Sequence, residues 1–186
     1  MARYVALLRG INVGGKNPIP MPALKACFED AGFEDVGTYI QSGNVVFSGP
    51  SSSQTALVER VERTIRKAFA HYDASVVVRS RSQMRAIVDK SPKGFGKEPA
   101  KYRYDVCFLK PSLTAKQVVA AVPTKEGVDR IWAGTGVVYF SRLTSRATSS
   151  RLNRVASLPV YQQMTIRNWN TTTKLRELLD AETARG

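Results

Sequence analysis

Two stretches of this chain read alike, and together they constrain the fold more than any other feature. Ser42-Gly43-Asn44-Val45-Val46-Phe47-Ser48 and Gly134-Thr135-Gly136-Val137-Val138-Tyr139-Phe140-Ser141 each pass through a glycine-bearing corner into a β-rich run. Another β-rich run precedes each corner, at residues 36–41 and 130–133, so each reads as a hairpin. The same order of elements recurs around both. In the first half, a strand at 4–8 precedes a helix that starts at Pro22 and carries Leu24, Cys27, Phe28 and Ala31 at helical spacing. Gly32 ends that helix in a left-handed turn, and Phe33 folds back over its last turn. After the hairpin, Ser51-Ser52-Ser53 caps a helix with Leu57, Val61, Ile65, Ala68 and Phe69 on one face, and residues 74–79 supply a fourth strand.

The second half repeats the order. A strand at 104–109 leads to a helix capped by Thr114, carrying Val118, Val119 and Val122 and ended by Pro123. After the hairpin, a helix from Ser149 or Ser150 carries Leu152, Val155 and Leu158, and residues 161–167 form the last strand. A closing helix at 171–181 presents Leu175, Leu178 and Leu179. The expectation is an α/β (α+β) protein of two ferredoxin-like α-β plait halves, βαββαβ repeated, plus a C-terminal helix. Its divisions are a first plait at 1–80, a linking helix and basic loop at 81–103, and a second, strongly basic plait with the closing helix at 104–186.

Charge is spread unevenly. Of the 28 Lys/Arg and 15 Asp/Glu that give a net charge of +13, residues 1–78 hold 8 against 7, and residues 79–186 hold 20 against 8. No acidic residue lies between Arg130 and Arg176. A partner chosen by charge meets the second half, and polyanions are the natural class. Arg142, Arg146, Arg151 and Arg154 are the candidates for nucleic acid. The alternative is a general solubility surface.

The loop after the first strand, Arg9-Gly10-Ile11-Asn12-Val13-Gly14-Gly15-Lys16-Asn17, is a second candidate site. It is one residue short of a phosphate-binding P-loop, but Asn17 lacks the hydroxyl that holds Mg²⁺, and Pro18 and Pro20 keep the following residues out of a helix. A looser anion site built from backbone N–H groups and Lys16 stands beside a plain connector. Strands one and three of a plait are central neighbours, so Arg9 and Asn12 are expected close to Tyr39, Ser42 and Asn44 at one sheet end. The candidates here are Arg9, Asn12, Gly14, Gly15, Lys16, Tyr39, Ser42 and Asn44. A third set, Arg167, Asn168, Trp169 and Asn170, together with Arg151, offers stacking and hydrogen bonding to a ligand; the competing reading makes Asn170 or Thr171 a helix N-cap and Trp169 a core cover.

Three ordered motifs resemble a bacterial family labelled domain of unknown function 1697, nearly end to end. The first is the opening Tyr4–Asn17 segment with Met21, joined by Thr38-Tyr39-Ile40-Gln41-Ser42-Gly43-Asn44-Val45-Val46-Phe47. The others are the closing Thr165-Ile166-Arg167-Asn168-Trp169-Asn170-Thr171 with Lys174-Leu175, and the weaker Ser150-Arg151-Leu152-Asn153. The resemblance implies α-β plait domains and no established activity, cofactor or catalytic residue.

Several chemistries find no support. His71, the only histidine, follows the second helix and reads as solvent-facing, and no metal-ligand spacing or nucleophile elbow occurs. Neither hairpin carries the exposed-aromatic pattern of an RNA-recognition domain. The apolar N-terminal run is interrupted by Arg9 and Asn12, no run approaches membrane-spanning length, and Cys27 and Cys107 read as reduced core residues, all consistent with a cytoplasmic protein. No cofactor and no metal are expected. The function expected first is polyanion binding with nucleic acid leading. Two alternatives are kept: a binder or enzyme for a phosphorylated metabolite, at an inter-lobe cleft formed by residues 9–16, 42–44 and 167–170, and a scaffold without ligand.

Overall fold

The computed structural model describes residues 1–181 and contains two four-stranded antiparallel sheets with the same strand order. In the first, β1 (Ala2–Leu8) and β3 (Asn44–Gly49) are the central pair, flanked by β2 (Glu34–Tyr39) and β4 (Val76–Ser80), in the order β2-β3-β1-β4. Two helices, α1 (Met21–Asp30) and α2 (Gln54–Ala68), cover one face of it. Leu24 and Phe28 from α1, and Leu57, Val61 and Ile65 from α2, are buried against Tyr4, Ala6, Val45 and Phe47.

Local chemistry accounts for the ends of these helices. At the end of α1, the Phe33 N–H donates to Phe28 O and the Gly32 N–H to Glu29 O, with Gly32 at φ +77°: a Schellman turn. Phe33 then closes over Phe28 with ring centroids 5.5 Å apart, and both pack on Phe47. Ser53 caps α2 by accepting from the Ala56 N–H. Ala68, expected on the buried face, is exposed, because the apolar stripe of α2 ends at Ile65.

The second sheet repeats this plan with β5 (Tyr102–Leu109) and β7 (Val137–Leu143) at the centre and β6 (Asp129–Ala133) and β8 (Met164–Asn168) at the edges, in the order β6-β7-β5-β8. The registers coincide as well. Val5 lies opposite Val46 and Arg79, and Val106 lies opposite Tyr139 and Arg167. A helix follows each last strand: α3 (Arg81–Asp89) after β4 and a longer helix, Trp169–Asp180, after β8. Ser80 caps α3 by accepting from the Gln83 N–H at 3.2 Å, while the Gln83 carboxamide oxygen accepts from the Ser80 N–H. Asn168 holds the equivalent place and accepts from the Thr171 N–H at 2.7 Å, so Asn168, not Asn170 or Thr171, is the N-cap.

One expected element is replaced. The helix α4 (Ala115–Ala121) forms with its capping box of Thr114 and Gln117, but no α-helix lies between β7 and β8. Residues 144–163 instead fold as three short 3₁₀ helices, Thr144–Ser149, Leu152–Ser157 and Pro159–Gln163, here called the strap. Its polar side chains bond local backbone carbonyls: Ser149 to Arg146 O, Ser157 to Arg154 O and Asn153 to Ala147 O. Such bonds compete with the α-helical ladder, and Pro159 cannot contribute an N–H to one. Leu152 and Val155 still bury as expected, beside Cys107, Phe140 and Met164.

By its backbone packing the chain divides into Met1–Arg85 with the residues from Lys174 on, and Ala86–Thr173. The C-terminal part of the last helix, α5 (Trp169–Asp180), therefore belongs with the first unit, where Leu175 and Leu179 are buried. Arg3 donates there to Leu178 O and Ala181 O, and Asp180 accepts from Arg85 and Arg176. Residues 182–186 of the span expected for the second plait lie outside the described residues.

Buried ionisable groups set a pH dependence. Burial, helped by Asp30, pushes the Cys27 thiol from its ordinary 9.0 up to about 11. Cys107 is raised in the same direction by burial and by Asp105. Burial also pushes Tyr139, whose hydroxyl donates to Ile87 O at 2.6 Å, from 10.0 up to about 12. All three hold their protons in the folded state where the unfolded chain releases them. The unfolded state then binds fewer protons, and stability falls as pH rises. Arg79, lowered by burial to about 10, opposes this from that pH upward. The urea midpoint is therefore expected to fall steadily from pH 8.5 to 10; a flat midpoint over that window contradicts these burials.

Candidate functional site

The glycine-rich loop is explained by its own turn. Val13 and Lys16 form a β-bridge, the Lys16 N–H donates to Val13 O at 3.0 Å, and Gly14 and Gly15 between them have φ +56° and +73°. This is a two-residue type I′ hairpin, which demands positive φ at both central positions. The Asn12 N–H donates to Asn17 O, and the Asn17 side chain donates to Gly10 O, closing the base of the loop. Gly14, Gly15 and Lys16 are exposed at its tip.

As expected, the loop meets the β2–β3 corner at one sheet end. The Leu8 N–H donates to Gly43 O, and the Asn12 carboxamide donates to both Ile19 O and Gln41 O while accepting from the Ile19 N–H. Asn44, fully buried, donates to Tyr39 O and the Ser42 hydroxyl. Arg9 lends its carbonyl to the Tyr72 hydroxyl and its N–H to Ser75 O. The side-chain amides of Asn12 and Asn44 thus brace the corner.

Residues 167–170 lie in the second unit. Arg167 is buried and donates to the Thr165 hydroxyl and Ile166 O, Asn168 is the helix cap, and Asn170 is exposed. Trp169 stands edge-on to Phe95 at 5.1 Å and against Gly96, which is the geometry of packing. Phe95 is not a candidate on sequence grounds, yet it also meets Tyr104, Trp132 and Tyr139 edge-on. A lone aromatic in a Pro/Gly/Lys loop carries no periodic signal.

The basic candidates lie along the strap and at the end of β7. Arg146, Arg151 and Arg154 are exposed on the strap, and Arg142 at the end of β7 bonds the strap residue Asn153. Arg103 on β5 lies directly across from Arg142, and Asp129 lies across from Arg142 on its other side. The two carboxylates here are turned inward. Asp129 is 7% exposed and accepts from the Ser150 hydroxyl at 2.6 Å, the Arg151 N–H at 2.8 Å and the Lys125 N–H at 2.9 Å. Asp105 is 8% exposed and pairs with Arg103. Asp129 pins the strap to β6, a role the sequence does not reveal, because two of its partners are far along the chain.

Among the described residues no group of three or more His, Cys, Asp or Glu is placed to hold a metal, and no helix is long and apolar enough to cross a membrane. His71 is exposed, and both cysteines are free thiols.

Comparison with known proteins agrees with the fold. The solved structure of the conserved bacterial protein SP0830 from Streptococcus pneumoniae is similar over 97% of this chain and 99% of its own, with TM-score 0.84 and 28% identity. No curated protein matches the chain. A family model described as "Protein of unknown function (DUF1697)" matches residues 1–139, which include the loop hairpin, the β2–β3 corner and Asp129. Since that span is most of the 186 residues, the chain belongs to the DUF1697 family.

Proposed function

We propose that the second unit binds a polyanion, nucleic acid first among the class, through the strap and the adjoining end of its sheet. The observation that carries this reading is the placing of charge. Arg146, Arg151 and Arg154 are exposed on one short segment, while Asp129 and Asp105 are buried and spent on internal partners. Arginine forks match phosphate geometry, and closely spaced arginines displace the counterions condensed on a polyphosphate backbone.

Fluorescence anisotropy with short labelled single- and double-stranded DNA and RNA at two salt concentrations tests this. Binding on the order of micromolar at low salt, weakening steeply as salt rises, is expected for a backbone contact of this kind. No binding of any of these probes at low salt overturns the reading.

A further inference from the structure

Cations lie on both faces of the second sheet, and the sheet keeps the two groups apart. Strand alternation sets Asp129, Phe140 and Arg142 on one face, since Asp129 lies across from Arg142. The strap packs on this face, with Leu152 and Val155 beside Phe140 and with Asp129 holding Ser150 and the Arg151 N–H. Arg130 and Tyr104, both across from Ser141, belong to the other face, as do Tyr139 and Tyr102. The loop at residues 90–101 covers that face. Its Phe95 is 7% exposed and stands edge-on to Tyr104, Tyr139 and Trp132 at 4.8, 5.3 and 5.9 Å. Gly94 and Gly96 flank it at φ +80° and +81°, so the chain turns away on either side of the buried ring.

What this anchor leaves outside is basic. Lys93, Lys97 and Lys101 are exposed on the loop, and Arg130 is exposed on β6. The Arg130 guanidinium and the Lys101 ammonium lie 5.5 and 5.2 Å from the centroid of one ring, Tyr102. Glu98 is the only acidic residue at 90–101. It meets Lys101 at 3.9 Å, between side chains that are both more than half exposed, a contact that water screens. Among the described residues no carboxylate pairs with Lys93, Lys97 or Arg130. Like charges gathered on a pinned loop repel one another, and an anion lying across them relieves that repulsion with little further ordering of the backbone. Resting on the polyanion reading above, we infer that the 90–101 loop with Arg130 is a second phosphate-binding surface, back to back with the strap. One chain then holds two nucleic-acid strands at once, one on each face of the sheet.

Two non-complementary single strands of about eight nucleotides, the scale of one such surface, test this when one carries a donor dye and the other an acceptor. Mixed with the full chain at low salt, they are expected to show energy transfer, and sedimentation velocity is expected to give one chain with two strands. The triple variant Lys93→Gln, Lys97→Gln and Lys101→Gln changes exposed side chains only. It is expected to keep one strand on the strap at the parent's affinity and to lose the energy transfer. One strand per parent chain overturns the second surface and leaves the polyanion reading in place. A triple variant that still holds two strands also overturns it, as does a complex in which two associated chains carry one strand each. Failure to bind either strand overturns both.

Discussion

Asp129→Ala is expected to lower the free energy of unfolding by about 3 kcal/mol, because it strands three donors around a site that is 7% exposed. The Ser150 hydroxyl and the backbone N–H groups of Arg151 and Lys125 all end on this carboxylate. Each bond to a charged acceptor contributes roughly 1.5–3 kcal/mol, and release of the buried charge offsets part of the loss. Asp129→Asn keeps one carbonyl acceptor and is expected to cost about half as much. Urea unfolding reads both. The strap also loses its tether to β6, so oligonucleotide affinity falls in Asp129→Ala although no exposed charge has changed. A variant within about 0.5 kcal/mol of the parent would show that the carboxylate is not the anchor of the strap.

Gly43→Ala has the second large effect. Gly43 sits at φ +77°, and a Cβ there would stand 2.6 Å from Ile11 Cδ1 and 2.9 Å from Leu8 Cβ. Left-handed strain contributes roughly 1–2 kcal/mol and overpacking about 1–3 kcal/mol more, for an expected loss of about 3 kcal/mol. The close approach is to Ile11 of the glycine loop, so the substitution wedges the loop off the corner that Asn12 braces. Gly14→Ala is the comparison. Its φ is +56° and a Cβ would meet nothing within 4 Å, so only backbone strain of about 1 kcal/mol is expected. Equal thermal shifts for the two variants would contradict the packing of the loop on the corner.

The contrast between these glycines bears on what is legible in the sequence. The corners at residues 42–44 and 134–136, the Ser53 and Thr114 caps and the Gly32 turn are local chemistry, where a few residues decide the backbone; the plait order follows from them. The strap departs from the expected α-helix because Leu152, Val155 and Leu158 repeat every third residue. That spacing is the period of a 3₁₀ helix, whereas an α-helix also needs a position four away, and the surrounding Ser, Thr and Asn favour short turns. The candidate sites divide in the same way. That residues 9–17 and 39–44 meet at one sheet end follows from strand order, but nothing local shows that Asn12 and Asn44 spend their amides as braces. Trp169 and Phe95 pair across a large sequence separation, and Asp129 reaches Ser150 and Arg151 the same way; periodicity carries no trace of such pairings. Charge asymmetry points to the second half, and only the fold shows that Arg146, Arg151 and Arg154 are exposed on the strap while Asp105 and Asp129 turn inward.

The central claim is that Arg146, Arg151 and Arg154 act together on phosphates. The most direct test compares the salt dependence of oligonucleotide binding for the parent chain and for the triple variant Arg146→Gln, Arg151→Gln and Arg154→Gln. All three residues are exposed, so the variant is expected to unfold at the parent's temperature. Removing one phosphate-binding cation reduces the slope of log K against log salt by about 1, so the slope is expected to fall by about 3 and low-salt affinity by on the order of 100-fold. Unchanged slope and affinity in a folded triple variant would contradict the account.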